Sequence, residues 1–506
     1  MMNPVAESGR DIARGRPTAP THGLSTIFVA ALGLLAGCAV GPRVAPPDAP
    51  HPMSYTPHPA PAVGWTAGSG EPAQRVAMGE APPTAWWRLF HCATLDGLIE
   101  RAEARNQTLD AARVTLAEAR AAVSEARGGY LPQVDLAAQA TRGRGPAFAR
   151  PLLPAGQRLP LYDLFSVGPS VSFAPDVFGL TAHTVEEREA LARMRQYELQ
   201  AARLTLEGQV VSQSVAIASL RLQIDTAKRI VADDLRNLEL VRRKVAAGRA
   251  PRSDLPTATA RLAIDRAQLP ALEQQAGVAE DALAVLLGEA PGDWREPRPS
   301  LADFHLPAVL PVRLPSMLVH RRPDILAAEA AVHAYGAAVG VATARMYPNI
   351  QLSATLSTAA LTTDGLFGPG SGVWALAGGV TAPLFHGGAL AARRREAVDA
   401  YRGSVARYRQ TVLLAFAQVA DTLRALGNDA ALVADERAAQ NATGTALTMQ
   451  RASYAAGRSN LLQLVDAARS DRRARLGLTR AEAQRLVDSA QLLVAMGGGW
   501  SQESNR

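Results

Sequence analysis

The sequence predicts an α+β membrane protein with internal duplication, whose strands close a barrel only when several copies of the chain contribute to it. Three observations carry that prediction. Four strand-length segments alternate apolar with polar or small residues, two proline-free helical stretches run 62 and 68 residues, and the whole order recurs at an offset of roughly 210 to 217 residues.

The first element is a removable one. Arg10, Arg14 and Arg16 precede an apolar run from Leu24 to Ala36, which ends at Leu35-Ala36-Gly37-Cys38. The run is too short to span a bilayer, which needs about 20 residues, and it resembles the h-region and cleavage box of a bacterial lipoprotein signal. Residues 1–37 are therefore expected to be cut away and Cys38 to carry acyl chains such as palmitate, each buried CH₂ adding about 0.8 kcal/mol of membrane attachment. Residues 38–85 form a leader: eleven prolines fall in the 47 residues from Ala39 to Ala85, which excludes helix and disfavours a central strand. The leader ends at Trp86-Trp87-Arg88-Leu89-Phe90, whose aromatics are expected to dock on the folded body.

A first repeat, residues 86–310, opens with an alanine-rich helical segment from Ala104 to Ala126 that stops at Gly128-Gly129. The period then changes to two. Val134, Leu136, Ala138 and Ala140 alternate with Gln133, Asp135, Gln139 and Thr141, and after a loop Phe165, Val167, Val171 and Phe173 alternate with Ser166, Ser170 and Ser172. From Glu186 to Ala247 there is no proline and a single glycine, Gly208, and apolar residues recur at spacings of three and four, from Leu199 to Leu238. A continuous helix there would be roughly 93 Å long. It ends at Gly248, and a returning helix spans Thr257 to Leu287 with a kink or break marked by Pro270.

The second repeat, residues 311–500, retraces that order. Arg322-Pro323-Asp324-Ile325 opens a helix, Ile350, Leu352, Ala354 and Leu356 alternate with Gln351, Ser353 and Thr355, and a fourth strand lies around Trp374, Leu376 and Val380. The second long helix runs from Ala389 to Ala456, stops at Gly457 and returns from Leu461 to Met496, leaving residues 501–506 as a tail. Lys244-Val245-Ala246-Ala247-Gly248 aligns with Ser453-Tyr454-Ala455-Ala456-Gly457, so both hairpins reverse at equivalent points.

Four such strands cannot close a barrel, and each unpaired backbone group in hydrocarbon costs several kcal/mol, so protomers must share one. Two copies give eight strands, whose interior side chains fill it; three give twelve and leave a lumen, making a trimer the smallest conducting assembly. The net charge of +7 falls to +6 without the signal, but basic residues stand beside acidic ones and no basic run is interleaved with aromatics, so no nucleic acid partner is implied. With Cys38 acylated, Cys92 is the sole thiol and no internal disulfide can form. No nucleotide-binding, zinc-protease or serine-hydrolase motif occurs, Asp233-Asp234 and Glu186-Glu187 read as solvated helix faces, and neither an enzyme nor any cofactor or metal is expected.

On the lipobox followed by Val40-Gly41-Pro42, Trp86-Trp87, Tyr130-Leu131-Pro132, Leu314-Pro315 before Arg321-Arg322-Pro323-Asp324-Ile325, and Tyr454-Ala455-Ala456-Gly457 with Leu461 to Asp466, the chain resembles TolC-like outer membrane factors, the lipoprotein branch serving RND multidrug efflux pumps. The resemblance implies a trimeric 12-stranded outer membrane β-barrel continuous with a long periplasmic α-helical barrel, acting as the exit duct of a tripartite pump. Its partners would be a periplasmic adaptor protein, an inner membrane RND pump and outer membrane lipid. By motif, Leu462, Asp466 and Arg469 fall at the family's periplasmic aperture, with Asp254 at the other tip. Gly248, Ser253, Gly457 and Ser459 fall on the tips that would receive the adaptor. Asp466 and Arg469, at i and i+3, share one helix face, and three such carboxylates around an axis would favour cations. Two other readings stand beside this one: an exit duct for type I secretion or metal efflux, and a non-conducting coiled-coil lipoprotein, which leaves the four strands unexplained.

Overall fold

The computed structural model describes residues 40, 48–50, 52–56, 74–144, 161–294 and 299–500. Cys38, most of the leader and the tail 501–506 lie outside the described residues. The chain divides into two compact units, each discontinuous in sequence.

The first unit, built from Gly128–His183 and Gly340–Arg394, is a four-stranded antiparallel sheet. Its strands are β2 (Gln133–Arg144), β3 (Leu161–Phe173), β5 (Asn349–Ala360) and β6 (Gly372–Thr381), in the order β2-β3-β5-β6. The ladders pair Val134 with Val171, Ala138 with Val167, Val171 with Ala354, Ala354 with Leu376 and Leu356 with Trp374. Because directly opposed residues share a face, the apolar sets of all four strands fall on one side. The polar sets follow the same register, with Asp135 opposite Ser170, Ser170 opposite Thr355 and Thr355 opposite Ala375. Leu136, Trp374 and Leu376 are more than 70 % exposed, so no described residue covers the apolar face. The outer strands β2 and β6 each pair with one neighbour, leaving two open edges.

The second unit is helical. Its elements begin with a short strand, β1 (Arg75–Met78), and a 3₁₀ turn at Trp86–Phe90. Then come α1 (Ala93–Arg105), α2 (Gln107–Gly128), α3 (Leu180–Ala246), α4 (Asp254–Arg266), α5 (Gln268–Leu286), β4 (Val309–Val312), α6 (Pro315–Val319), α7 (Pro323–Ala344), α8 (Ala389–Ala455) and α9 (Leu461–Ala495). The long helices α3 and α8 have 67 residues each, about 100 Å at 1.5 Å per residue. The expected Ala104–Ala126 helix is split. Asn106 takes an extended conformation, ends α1, and accepts the Leu109 N–H at 2.9 Å with its own side chain, so one residue caps both helices.

The Trp86–Phe90 turn docks as expected: Trp86 and Phe90 are fully buried against Leu95 and Ile99 of α1, Val211 and Ile217 of α3, Leu283 of α5 and Leu493 of α9. A second core joins Leu310 and Val312 of β4, Ile325 and Val332 of α7, Val412 and Val419 of α8, and Leu492 of α9. Each such side chain contributes about 1.5–3 kcal/mol by leaving water. α7 is long and apolar enough to cross a membrane, but 56 % of its apolar window is buried and its first half packs in this core.

Two elements, β1 and its partner β4, were not foreseen. β1 lies within the proline-rich leader and runs parallel to β4, from Arg75 opposite Val309 to Met78 opposite Val312. β1 falls within a proline-free run of the leader, residues 73–81, as a ladder strand requires. Gln74 is fully buried there, donating to Ser489 Oγ at 2.9 Å and accepting from Arg485 Nε at 3.2 Å.

Candidate aperture and helical tips

The two long hairpins reverse by one device. Gly248 stands at φ 67°, its N–H donating to Val245 O at 3.1 Å while the Arg249 N–H donates to Lys244 O at 2.8 Å. Gly457 stands at φ 71°, with the same bonds to Tyr454 O at 3.1 Å and from Arg458 to Ser453 O at 2.9 Å. These are Schellman turns, which satisfy the last carbonyls of the helix through a left-handed residue that glycine adopts without penalty. No heavy atom lies within 4 Å of a Cβ built on either glycine, so the demand is conformational and the backbone there is open to approach.

The return helices start differently. Asn460 caps α9 in a reciprocal box with Gln463, its side chain accepting the Gln463 N–H at 2.9 Å and its N–H donating to Gln463 Oε1 at 3.2 Å. Ser253 precedes α4 with helical dihedrals and no side-chain cap bond. The Oγ of Ser459 is buried without a hydrogen-bond partner. Behind the turns, Val231, Leu238 and Val241 of α3, Leu262 of α4, Tyr454 of α8 and Leu461 of α9 form one apolar cluster. Lys244 Nζ sits 3.7 Å from the Tyr454 ring centroid and donates to Tyr454 O at 3.4 Å, joining α3 to α8. Burial, and secondly the Asp254 carboxylate, raise the Tyr454 phenol above its usual range.

Leu462, Asp466 and Arg469 lie on the first turns of α9 at i, i+4 and i+7, all exposed; Leu462 is 60 % accessible. Asp466 and Arg469 share a face, yet among the described residues they form no ion pair with each other. The Arg469 charge acts instead on Asp265 of α4. Asp254 is half-buried at the start of α4.

A buried charge cluster that the sequence reading missed ties α3, α4 and α9 together. Arg261 Nε reaches Asp234 Oδ1 at 3.2 Å and Asp265 Oδ2 at 3.5 Å, its Nη1 donates to Val465 O at 3.2 Å, and Arg472 Nη1 pairs with Asp265. Asp234, Arg261, Asp265 and Arg472 are all at most 8 % exposed. Burial first, then the hydrogen bond to Asp234, push the Asp265 carboxyl up to about 7 against the opposing pull of Arg261. The solvated-face reading of Asp233-Asp234 is thus corrected. Asp234 is interior, and Asp233 bridges to Arg451 of α8 at 3.0 Å and to Arg236 on its own helix. The available signal was that Arg261 and Asp265 occupy the same helical stripe as the apolar Ala258 and Leu262. Among the described residues, no group of three or more His, Cys, Asp or Glu side chains is arranged to hold a metal ion.

Comparison with known proteins gives a consistent picture. The profile of the outer membrane efflux protein family matches residues 98–289 and 314–498. The chain is 29 % identical to the outer membrane protein OprJ of Pseudomonas aeruginosa, over 96 % of this chain and 97 % of that one. It is 31 % identical to the pyoverdine export outer membrane protein OpmQ of Pseudomonas putida, over 88 % and 93 %. Among solved structures, the outer-membrane channel OprN superposes with a TM-score of 0.81 at 26 % identity, covering 92 % of this chain and all of that one. The open state of the Neisseria gonorrhoeae MtrE outer membrane channel gives 0.74 at 25 % identity, over 91 % and 98 %.

Proposed function

The chain belongs to the outer membrane efflux protein family, a family of channels, and from that premise we propose that three copies form one continuous duct through the outer membrane and into the periplasm. It is an outer membrane component of an efflux pump. The observation that carries the trimer is the open sheet: a continuous exposed apolar face with free edges at β2 and β6 is stable in a bilayer only if β6 of one copy pairs with β2 of the next. Three copies give a twelve-stranded barrel with the polar face inside, and α3, α4, α5, α8 and α9 of each would wall a helical barrel below it.

In this reading residues 1–37 are a signal, Cys38 is acylated, residues 38–85 are a leader, and 86–310 and 311–500 are duplicated halves ahead of the tail 501–506. The tips at Gly248, Ser253, Gly457 and Ser459 receive a periplasmic adaptor that links the duct to an inner membrane RND pump. Leu462, Asp466 and Arg469, with Asp254, line the aperture. Transport through it is passive, energy coming from the pump. The relatives' names include pyoverdine export, toluene efflux and antibiotic efflux, so the cargo proposed here is small molecules, not secreted proteins.

The test is mass and conductance together. Light scattering of the protein in detergent is expected to give three chains per particle, and that particle is expected to open discrete ion-conducting steps in a planar bilayer. A monodisperse monomer without conductance would falsify the shared barrel and leave the non-conducting coiled-coil reading.

A further inference from the structure

Helices α4, α8 and α9 surround an open cavity of about 820 Å³ whose wall carries five arginines against two carboxylates. Four of the arginines, Arg469, Arg472, Arg473 and Arg480, come from α9, at spacings that place them on one stripe about 16 Å long. Arg261 faces them from α4. The carboxylates are Asp265 and Glu436.

Asp265 is already engaged by Arg261 and Arg472. Asp234 completes the neutralisation of that buried group. Of the remaining three, Arg469 and Arg473 have no ion pair among the described residues, though the Arg469 charge also acts on Asp265, and Arg480 donates to a neutral acceptor, Gln223 Oε1, at 2.9 Å. Arg261 and Arg472 are each 8 % exposed, and Arg261 Nη2 and Arg472 Nε have no hydrogen-bond partner. The nearby Asp265 Oδ2 and Asp234 Oδ2 are likewise unbonded, so the buried pairs offset one another and the surplus positive charge sits on the α9 stripe. The planar guanidinium forks of the exposed stripe match the oxygens of phosphate and carboxylate groups.

We propose that this cavity binds a multivalent oxyanion of the phosphate or pyrophosphate class, held between the α9 arginine stripe and Arg261 of α4. The bound anion joins α9 to α4 beside Arg469, so occupancy stabilises the helix arrangement next to the aperture residues. Nothing in this assignment depends on which cargo the duct carries, and it is tested by binding alone.

The experiment is isothermal titration of the full-length protein in detergent with pyrophosphate at low ionic strength. One saturable site per chain is expected. Arg473→Glu, an exposed substitution outside the buried cluster, is expected to weaken binding at least tenfold. Glu436→Gln removes the one carboxylate facing the arginine surplus and is expected to tighten it severalfold. Arg402→Gln on α8, away from the cavity, is expected to leave it unchanged. Absence of saturable heat overturns the proposal. So does equal affinity in the Arg473 and Glu436 variants, or a loss in the Arg402 variant as large as that in the Arg473 variant, which assigns the heat to general surface charge.

Discussion

Asp265 sets the chemistry of the charge cluster, because it is the carboxylate that both Arg261 and Arg472 approach. Its carboxyl lies near 7, raised by burial and by Asp234, well above the range of an exposed aspartate. A folded-state value above the unfolded one means that the native protein binds more protons through the window between them, so stability falls as pH rises from about 4 toward 7. Glu207 has the same sign. Burial and a shared hydrogen bond with Glu103 raise it to about 8, although it accepts the Trp86 indole N–H at 2.7 Å. Mild acidification is therefore expected to raise the melting temperature of the helical unit between pH 8 and pH 5.5. Asp265→Asn, neutral at every pH, is expected to flatten that dependence while Glu207 retains part of it; a slope unchanged in the variant would remove Asp265 from the linkage. None of this was legible from the residues alone. Asp233-Asp234 looks like any solvated acidic pair, because a charge on the buried side of a helix is recognised only once its facing helix, here α4 with Arg261, is known. The Arg-Pro-Asp-Ile motif was legible as a family mark, and its work is local. Arg322 holds Asp324 at 2.9 Å and donates to Ala495 O at 3.0 Å and Gln418 Oε1 at 2.6 Å, closing the C-terminus of α9.

At the scale of elements, the sequence was most informative where local chemistry alone decides the outcome. The stops at Gly248 and Gly457 and the α9 start at Leu461 were all visible, because positive-φ glycines and an Asn-x-x-Gln cap act within a few residues. The period-two strands were visible for the same reason, since one face of each is uniformly apolar. What escaped were β1 and β4, which pair across some 230 residues of sequence; non-local pairing leaves little trace in four-residue strands. The helical tips carry their own prediction. Replacing Gly457 with leucine forces a branched side chain into a left-handed conformation, at about 1–2 kcal/mol, in a protein whose helices are held by many other contacts. The open space around it means no clash follows. Assembly is therefore expected to survive, while the bulky group obstructs the backbone approach that an adaptor needs. Drug susceptibility in cells lacking the native duct is expected to remain high with the variant. Full resistance restored by Gly457→Leu would count against the tip as the docking point.

For the whole molecule, the proposed shared barrel and the proposed aperture belong together, because one chain can neither close a sheet nor surround an axis. The exposed Leu136, Trp374 and Leu376 and the exposed Leu462, Asp466 and Arg469 are surfaces of the same kind: groups that a single chain leaves open and to which the proposed threefold assembly would give a role. In a trimer, Asp466 recurs three times around the narrow end, and like charges at that distance attract cations, repel one another and depend on neighbouring arginines for compensation. Arg469 lies three residues further along the same face and its charge also acts on Asp265 of α4. It thus sits between the aperture and the buried cluster that fixes α9 to α3 and α4. Removing Asp466 alone takes away the proposed field; removing Arg469 alone takes away a positive charge that acts on Asp265 of α4. Replacing both with alanine takes away both and shortens the side chains lining the opening. The double variant is expected to show a larger single-channel conductance than the parent, with a weaker preference for cations over anions. Reversal potentials under a salt gradient separate the two effects, since a wider opening changes conductance and a lost carboxylate ring changes selectivity. If neither quantity moves, the constriction lies elsewhere along α9, and Leu462 is the next residue to replace.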